Sequence, residues 1–581
     1  MYVIATAGHV DHGKSTLVRG LTGTDPDRLA DERRRGLSIE LGYAWTDLPS
    51  GRRLAFVDVP GHERFLGTML AGVGPVPAVL LVVAADEGWR RQTGEHVAAL
   101  AALDVRHGIL AVTRADLAEP GPAAADTLRR LADTPLAGLR WVGVSARTGA
   151  GLPGLRGALD ALLAGLPAPP TARRVRLFVD RVFAARGAGT VVTGTLQAGA
   201  IAVGDQVEVA GLPATVRALE CCREPAARLV AVARVAVNLR GVGHEQLRRG
   251  NALLSPGAWP MTAVLDVALA PVPDSLPRSL ILHVGSAAVP VTPRVLPGAS
   301  GAFARLTLGR PLPLQPGDRG VLRDPGRHAV AAGIRVLDVD PPALIRRGAA
   351  RCRAQQLADG YGPDQVLQRY EAVRRSHFAL LGWAEPSAQV HGEWLVAPDA
   401  RARWEQALWA LVAGDRSSGL ATGGPSAATA AALLAHPDLL APLAASCGLA
   451  VRGGRLVSAT DAGPQLPPAV ATALDALTAR LTDHPFAAPE AAELVEFGLD
   501  ARTRAVLSDA GRLLRLPGEV VLLPDAPLRA AELLGTLPAP FTLSQARQAL
   551  GTTRRVAVPL LEHLDRARVT IRVDASTRRL R

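Results

Sequence analysis

A chain of 581 residues has room for about four domains, and at 48% apolar and 20% charged it is globular, which excludes a disordered protein. No apolar run reaches membrane-spanning length, and a glycine-rich motif already begins at residue 8. These features argue against a membrane protein or a signal peptide and for a cytoplasmic chain. The formal charge of +12 makes nucleic acid the leading polyanionic partner, while Cys221, Cys222, Cys352 and Cys447 lack metal-ligand spacing and read as packed thiols in a reducing compartment.

Residues 1–168 alternate strand and helix patterns. Apolar strand candidates are Tyr2–Ala5, Arg53–Val57, Ala78–Ala84, Gly108–Thr113 and Trp141–Val144. The pattern predicts a doubly wound α/β domain with ligands at the carboxyl ends of its strands. The first strand runs into Gly8 to Ser15, GHVDHGKS, and then into a helix. The spacing Gly-x-x-x-x-Gly-Lys-Ser is a phosphate-binding loop. Gly8 and Gly13 let the backbone bend. The amides of Asp11, His12, Gly13 and Thr16 are then candidates to face phosphate, helped by the positive end of the helix. Lys14 would reach the β- and γ-phosphates, and the Ser15 hydroxyl would bind Mg²⁺. Lys14 is the only lysine in the chain. Its compact ammonium fits a phosphate cradle that a wider guanidinium would crowd.

Four further features follow in the order a GTPase needs. Arg34 to Ala44, RRGLSIELGYA, reads as a first switch in which the Ser38 hydroxyl would bind Mg²⁺. Asp58 to Glu63, DVPGHE, would hold the metal through Asp58, sense the γ-phosphate through Gly61 N–H and orient the attacking water with the catalytic residue His62. Thr113 to Asp116, TRAD, places Asp116 to accept from N1–H and N2–H₂ of guanine, a donor pair that adenine lacks. Ser145, Ala146 and Arg147 offer backbone amides to guanine O6. The expected ligands are therefore GTP or GDP with Mg²⁺.

GHVDHGKS, DVPGHE and the intervening Arg-Gly-x-Ser-Ile resemble the translational GTPases of the elongation factor Tu group. Thr22 to Ala44, Phe56 to Gly74 and Leu80 to Leu100 resemble the selenocysteine-specific elongation factor (SelB) family within that group. The resemblance is close over the first ~170 residues and holds in outline beyond them. It implies a monomeric, ribosome-stimulated GTPase that delivers selenocysteinyl-tRNA to UGA codons. Ser38 stands where the family usually has threonine, and Thr113-Arg114 where most relatives have Asn-Lys. The stem of Arg114 is expected to stack on guanine as a lysine stem would.

A proline-rich linker, Leu166 to Thr171, precedes short valine-rich strands split by Gly and Pro. They predict two, or three, small β-barrels, with the first at residues 172–258 and the second at 259–342. Asp180 to Asp205 resembles the group's first barrel, which holds the aminoacyl end of the tRNA. The resemblance assigns Asp180 and Arg181 to that pocket, where a fixed guanidinium would favour selenolate over the serine hydroxyl. An ordinary ion pair at the strand end is the alternative.

From about residue 343 helical patterns return, each closing in a hairpin. The hairpins are Trp383 to Pro398, Cys447 to Ala459, Ala510 to Pro524 and Ala567 to Arg581. They predict tandem winged helices over 343–525 and a final one over 526–581. That last segment resembles the SelB module that binds the selenocysteine insertion hairpin of the messenger RNA. From Phe541 onward it carries nine arginines against three acids. Arg547, Arg554 and Arg555 are the expected contacts to the RNA hairpin, the last two opening the second helix. The whole is a multidomain α/β, β and helical-wing architecture built around a P-loop GTPase domain. Two rival readings remain at this stage: an initiation-factor-like tRNA carrier, and a nucleotide-switched DNA-binding regulator.

Overall fold

Six strands form the first sheet: β1 (Tyr2–Ala7), β2 (Gly42–Asp47), β3 (Arg53–Asp58), β4 (Ala78–Ala84), β5 (His107–Thr113) and β6 (Arg140–Gly143). Their order is β2-β3-β1-β4-β5-β6, and all are parallel except β2, which runs antiparallel to β3 from Gly42 opposite Asp58 to Asp47 opposite Arg53. In the computed structural model the described residues are 1–26, 40–62, 65–74, 76–168, 171, 173–185, 189–298, 302–327, 329–386, 388–417, 424–460, 468–509, 511–574 and 576–581. They fall into two units, 1–365 with 376–385, and 366–375 with 386–581.

The helices of the first domain are α1 (Lys14–Thr22), α2 (Leu66–Val73), α3 (Arg91–Ala102), α4 (Pro120–Leu131) and α5 (Leu152–Gly165). They cover both faces of the sheet, which is why β4 can be apolar at every position. Val79, Leu81 and Val83 join the core beneath α2, α3 and α4, while Leu80 and Val82 join the one beneath α1 and α5. The strand order reverses at β1, so the crevice at its carboxyl end is where this topology places a ligand. The five expected strands are present. The sixth, β2, begins in the stretch read as a switch and runs three residues past it, and it is held by its pairing to β3.

Two six-stranded barrels follow. In the first, Gln206–Val209 pairs with both Leu212–Cys221 and Ala252–Leu254, closing a ring that includes Arg176–Ala185, Gly189–Leu196 and Ala233–Arg240. Strict alternation puts Ala233, Val235, Val237 and Leu239 inside. The second barrel closes through Met261–Ala270, Leu280–Val284, Ala287–Val295, Phe303–Pro313, Arg319–Asp324 and Ala329–Asp338. No third barrel occurs among the described residues.

A helix at Ala349–Ala358 lies in the segment expected to begin the winged helices, but it packs on the second barrel. Ala354 and Leu357 cluster with Leu296 and Leu337. The Arg353 side chain, 2% exposed, bridges Asp266 at 2.8 Å and Asp338 at 2.6 Å. A buried guanidinium needs carboxylates, and here the barrel supplies them.

The second unit contains four small sheets, each with a hairpin where one was expected: Gln389–His391 with Trp394–Val396, Leu449–Arg452 with Arg455–Ser458, Leu514–Leu516 with Val520–Leu522, and Thr570–Arg572 with Thr577–Leu580. Each is preceded by helices, the first by Pro363–Tyr370 and Arg375–Leu380, giving winged helices in series among the described residues. In the final one, Thr542 and Gln545 form a capping box that starts the helix Leu543–Ala549. The next helix, Arg554–Arg566, lays Val556, Leu560 and Leu564 into a core shared with Leu474, Leu477, Phe486 and Leu494 of the preceding module. Residues 526–581 therefore do not close a core of their own. No helix among the described residues is long and apolar enough to cross a membrane.

Candidate nucleotide site

The phosphate loop bridges β1 and α1. Gly8 has φ 137°, and a Cβ there would collide with the Val82 carbonyl of β4. Gly13, at φ 80°, caps α1. The first helical hydrogen bond runs from Leu17 N to Gly13 O at 2.8 Å, so the amides of Lys14, Ser15 and Thr16 lie in the open first turn. Lys14 Nζ curls back into the loop and donates to Gly8 O at 3.1 Å and His9 O at 2.7 Å.

Helix α3 buttresses this loop, a feature that the motif does not reveal. Gly8 N donates to Nδ1 of His96 at 3.1 Å, and Val10 N donates to Oε1 of Gln92 at 3.1 Å. These two amides are engaged by side chains. Burial holds the His96 imidazole down at about 3 and that of His12 at about 4, with Lys14 and His9 adding to both, so both rings are neutral at neutral pH. No local spacing connects His96 to residue 8, which is 88 positions away.

At the end of β3, Asp58 is fully buried. Its Oδ1 accepts from Thr6 Oγ1 and its Oδ2 from Ser15 Oγ, both at 2.6 Å. The hydroxyl and carboxylate expected to share a metal are thus adjacent, and both are hard oxygen donors of the kind Mg²⁺ takes. Gly61 follows closely. A Cβ there would lie 2.5 Å from Lys14 Nζ and 2.6 Å from Val10 N, so only glycine fits. The His62 ring packs edge-on to Phe65, with centroids 6.1 Å apart. Ser38 and Glu63 lie outside the described residues.

The base end brings together three loops. Thr113 Oγ1 donates to His12 O at 2.8 Å, tying β5 to the phosphate loop. Arg114, at φ 55°, bonds Asp86 at 2.9 Å and Glu87 at 2.8 Å and donates to Asp11 O, so its head group clamps the same loop. Asp116 accepts from Arg147 Nε at 3.1 Å. A hydrogen bond from the Ser145 side chain, then the Arg147 guanidinium, holds its carboxyl below the usual range. Ser145 N donates to Ala150 O at 2.9 Å. It therefore cannot also serve guanine O6 as expected, which leaves the amides of Ala146 and Arg147 for that role.

Asp180 and Arg181 sit where the first barrel meets β2. Asp180 pairs with Arg234, its Oδ1 accepting from Nη2 at 2.7 Å, and accepts from Thr193 Oγ1 at 2.7 Å. Arg181 donates to Leu41 O at 2.6 Å and lies 3.2 Å from Glu40. The ring of Tyr43 lies 3.9 Å from the Arg234 guanidinium carbon and 5.1 Å from that of Arg181. A cavity of about 200 Å³ beside them is lined by Tyr43, Arg181, Thr193, Cys222, Arg223 and Arg234. Arg234 and Tyr43 were not singled out in the sequence, because they reach Asp180 from a distant barrel strand and from another domain.

In the final winged helix, Arg554 is exposed and Arg547 is half-buried. Arg555 differs from the expectation that it faces a phosphate with Arg554. Its Nη2 donates to Ala488 O at 2.7 Å and Pro489 O at 3.0 Å, so it staples the helix to the preceding module.

Comparison with known proteins agrees with this architecture. Residues 1–164 match the model of the elongation factor Tu GTP binding domain, 189–254 elongation factor Tu domain 2, 263–343 the beta-barrel domain of the selenocysteine-specific elongation factor, and 532–580 the winged helix of elongation factor SelB. Elongation factor Tu 2 of Streptomyces avermitilis is 30% identical over 58% of this chain and 96% of its own length. The selenocysteine-specific elongation factor of Escherichia coli K12 is 39% identical over 67% of this chain and 64% of its own. A crystal structure of the bacterial selenocysteine-specific elongation factor EF-Sec shares the fold, with a TM-score of 0.74, 24% identity and coverage of 100% of this chain and 99% of that one. The chain belongs to the elongation factor Tu family of translational GTPases, and within it to the selenocysteine-specific, or SelB, branch. It spans 55% to 64% of the length of the first three selenocysteine-specific relatives that it matches.

Proposed function

We propose that the chain binds GTP with Mg²⁺, carries selenocysteinyl-tRNA to the ribosome at UGA codons under the guidance of a messenger RNA hairpin, and releases the tRNA on hydrolysing GTP to GDP. It works in the cytoplasm as a monomer. The observation that carries this reading is one chain holding both a phosphate loop joined to Asp58 through Ser15 and a terminal winged helix that matches SelB. A DNA-binding regulator has no use for two barrels closed against a switching domain.

The residues divide the work. Mg²⁺, when bound, neutralises phosphate charge. Ser15 and Asp58 would hold it, with Ser38 the expected third ligand. Lys14 would leave the loop carbonyls for phosphate oxygens, a stronger charge-assisted contact. Asp116 reads the guanine edge as a carboxylate that is already ionised. His62 orients the attacking water, and Gly61 N–H marks the γ-phosphate. Asp180 and Arg181 border the aminoacyl pocket. Arg554 and Arg547 meet RNA phosphate, and Arg555 supports them from behind.

The test is protection of the aminoacyl ester. With GTP present, the full chain should slow spontaneous hydrolysis of selenocysteinyl-tRNA and leave seryl-tRNA on the same tRNA unprotected. Equal protection of both would refute selenocysteine specificity, and protection of initiator tRNA instead would favour an initiation-factor-like carrier.

A further inference from the structure

Three sulfur atoms converge where the start of β1 lies against the first barrel. Cys221 ends the strand Leu212–Cys221, Cys222 follows at φ 56°, and Met1 precedes β1. Met1 Sδ is 3.3 Å from Cys221 Sγ and 3.6 Å from Cys222 Sγ, and the two thiols are 3.9 Å apart. Packing as small hydrophobes accounts for half-buried side chains but does not by itself require three sulfurs to converge.

The triangle has metal-binding dimensions. Its centre is about 2.1 Å from each sulfur, so an ion with metal–sulfur bonds of about 2.3 Å would sit about 1 Å off the plane. Two thiolates and a thioether are soft donors, which select Cu(I) over the harder divalent ions. Cys222 also lines the 200 Å³ cavity described above, which gives an ion a way in.

We infer that Met1, Cys221 and Cys222 form a three-sulfur site for one soft monovalent cation of the Cu(I) class, fastening β1 of the GTPase domain to the first barrel. The joint already holds an ion pair between Arg53 of β3 and Glu224 at 2.7 Å. A bound ion adds a second fastening on the same edge. The sulfurs are separate from the nucleotide cradle, so GTP binding does not depend on them.

The full chain, reduced and anaerobic, is titrated with Cu(I) against bathocuproine disulfonate. One equivalent should be withdrawn from the chelator, and copper-edge X-ray absorption should read three sulfurs at about 2.3 Å. The Cys221→Ser/Cys222→Ser variant should lose the equivalent, and Cys352→Ser/Cys447→Ser should keep it. Loading should raise the melting temperature of the parent and not that of the first variant. If that double variant is unstable, either single cysteine variant gives the same reading. Unchanged stoichiometry in the first variant, no withdrawal from the chelator, or a two-sulfur spectrum overturns the site as described. Loss of both thiols to a Cys221–Cys222 disulfide without copper retention overturns it in favour of redox chemistry.

Discussion

The Ser15 hydroxyl donates to Oδ2 of Asp58 at 2.6 Å, joining the phosphate loop to the end of β3 across 43 residues of sequence. Thr6 holds the other carboxylate oxygen. The buried Asp58 is thereby aimed at the Ser15 hydroxyl before any ligand is considered.

Ser15→Ala should separate metal-dependent from metal-independent nucleotide affinity. In Mg²⁺ the variant should bind GTP at least about tenfold more weakly, since a contact to a charged group is worth about 1.5–3 kcal/mol. In EDTA the two proteins should bind almost alike. An equal deficit in both buffers would mean that Ser15 is structural.

Asp116→Asn should weaken GTP and favour xanthosine triphosphate, whose C2 carbonyl pairs with an amide donor. The variant also removes the negative charge that pairs with Arg147, so a temperature melt is the companion measurement. Unchanged GTP affinity would end the guanine assignment.

His62→Ala should leave GTP binding within about twofold and slow ribosome-stimulated hydrolysis by about two orders of magnitude or more, because water positioning is a transition-state effect. Single-turnover hydrolysis beside equilibrium binding separates the two. Parallel losses would mark the ring as packing against Phe65 and nothing more.

Stability should fall with acid partly through His96. Its folded pKa, about 3, lies below the ordinary 6.5, so the unfolded chain takes up the proton first. The stabilisation is whole above pH 6.5 and is lost as pH falls toward 3, at most about 1.4 kcal/mol per pH unit. His96→Gln, which keeps an acceptor for Gly8 N, should show a shallower decline between pH 6.5 and 4.5 in denaturant melts. A decline parallel to the parent would show that His96 does not titrate on unfolding.

The two arginines that open the last long helix should behave differently in a 468–581 fragment, which keeps the shared core intact. Arg554→Ala should reduce the salt slope of log affinity for the hairpin by about 0.7–0.9 and leave stability unchanged. Arg555→Ala should cost about 1–3 kcal/mol of stability by stripping two carbonyls of their donor. Reversed results would exchange the roles.

The legible parts of this chain are those whose signal is local. A seven-residue apolar strand such as β4, a glycine spacing and a helix–hairpin rhythm each announce themselves within a short window. What stays hidden is long-range pairing. Arg353 looks like a helix-surface arginine until the barrel supplies Asp266 and Asp338. Arg234 reaches Asp180 across 54 residues, and His96 reaches the phosphate loop across 88. Arg555 and Arg554 are indistinguishable in sequence because only tertiary packing turns one of them toward Ala488.

The lone lysine has a practical corollary. A lysine-specific endoprotease has one site in the entire chain, the bond between Lys14 and Ser15, and that site lies in the first turn of α1 with Lys14 only 6% exposed. Cutting there requires the nucleotide cradle to open. The rate at which such an enzyme nicks the protein therefore reports local opening at this one turn, without an attached probe and against a background free of competing cleavage.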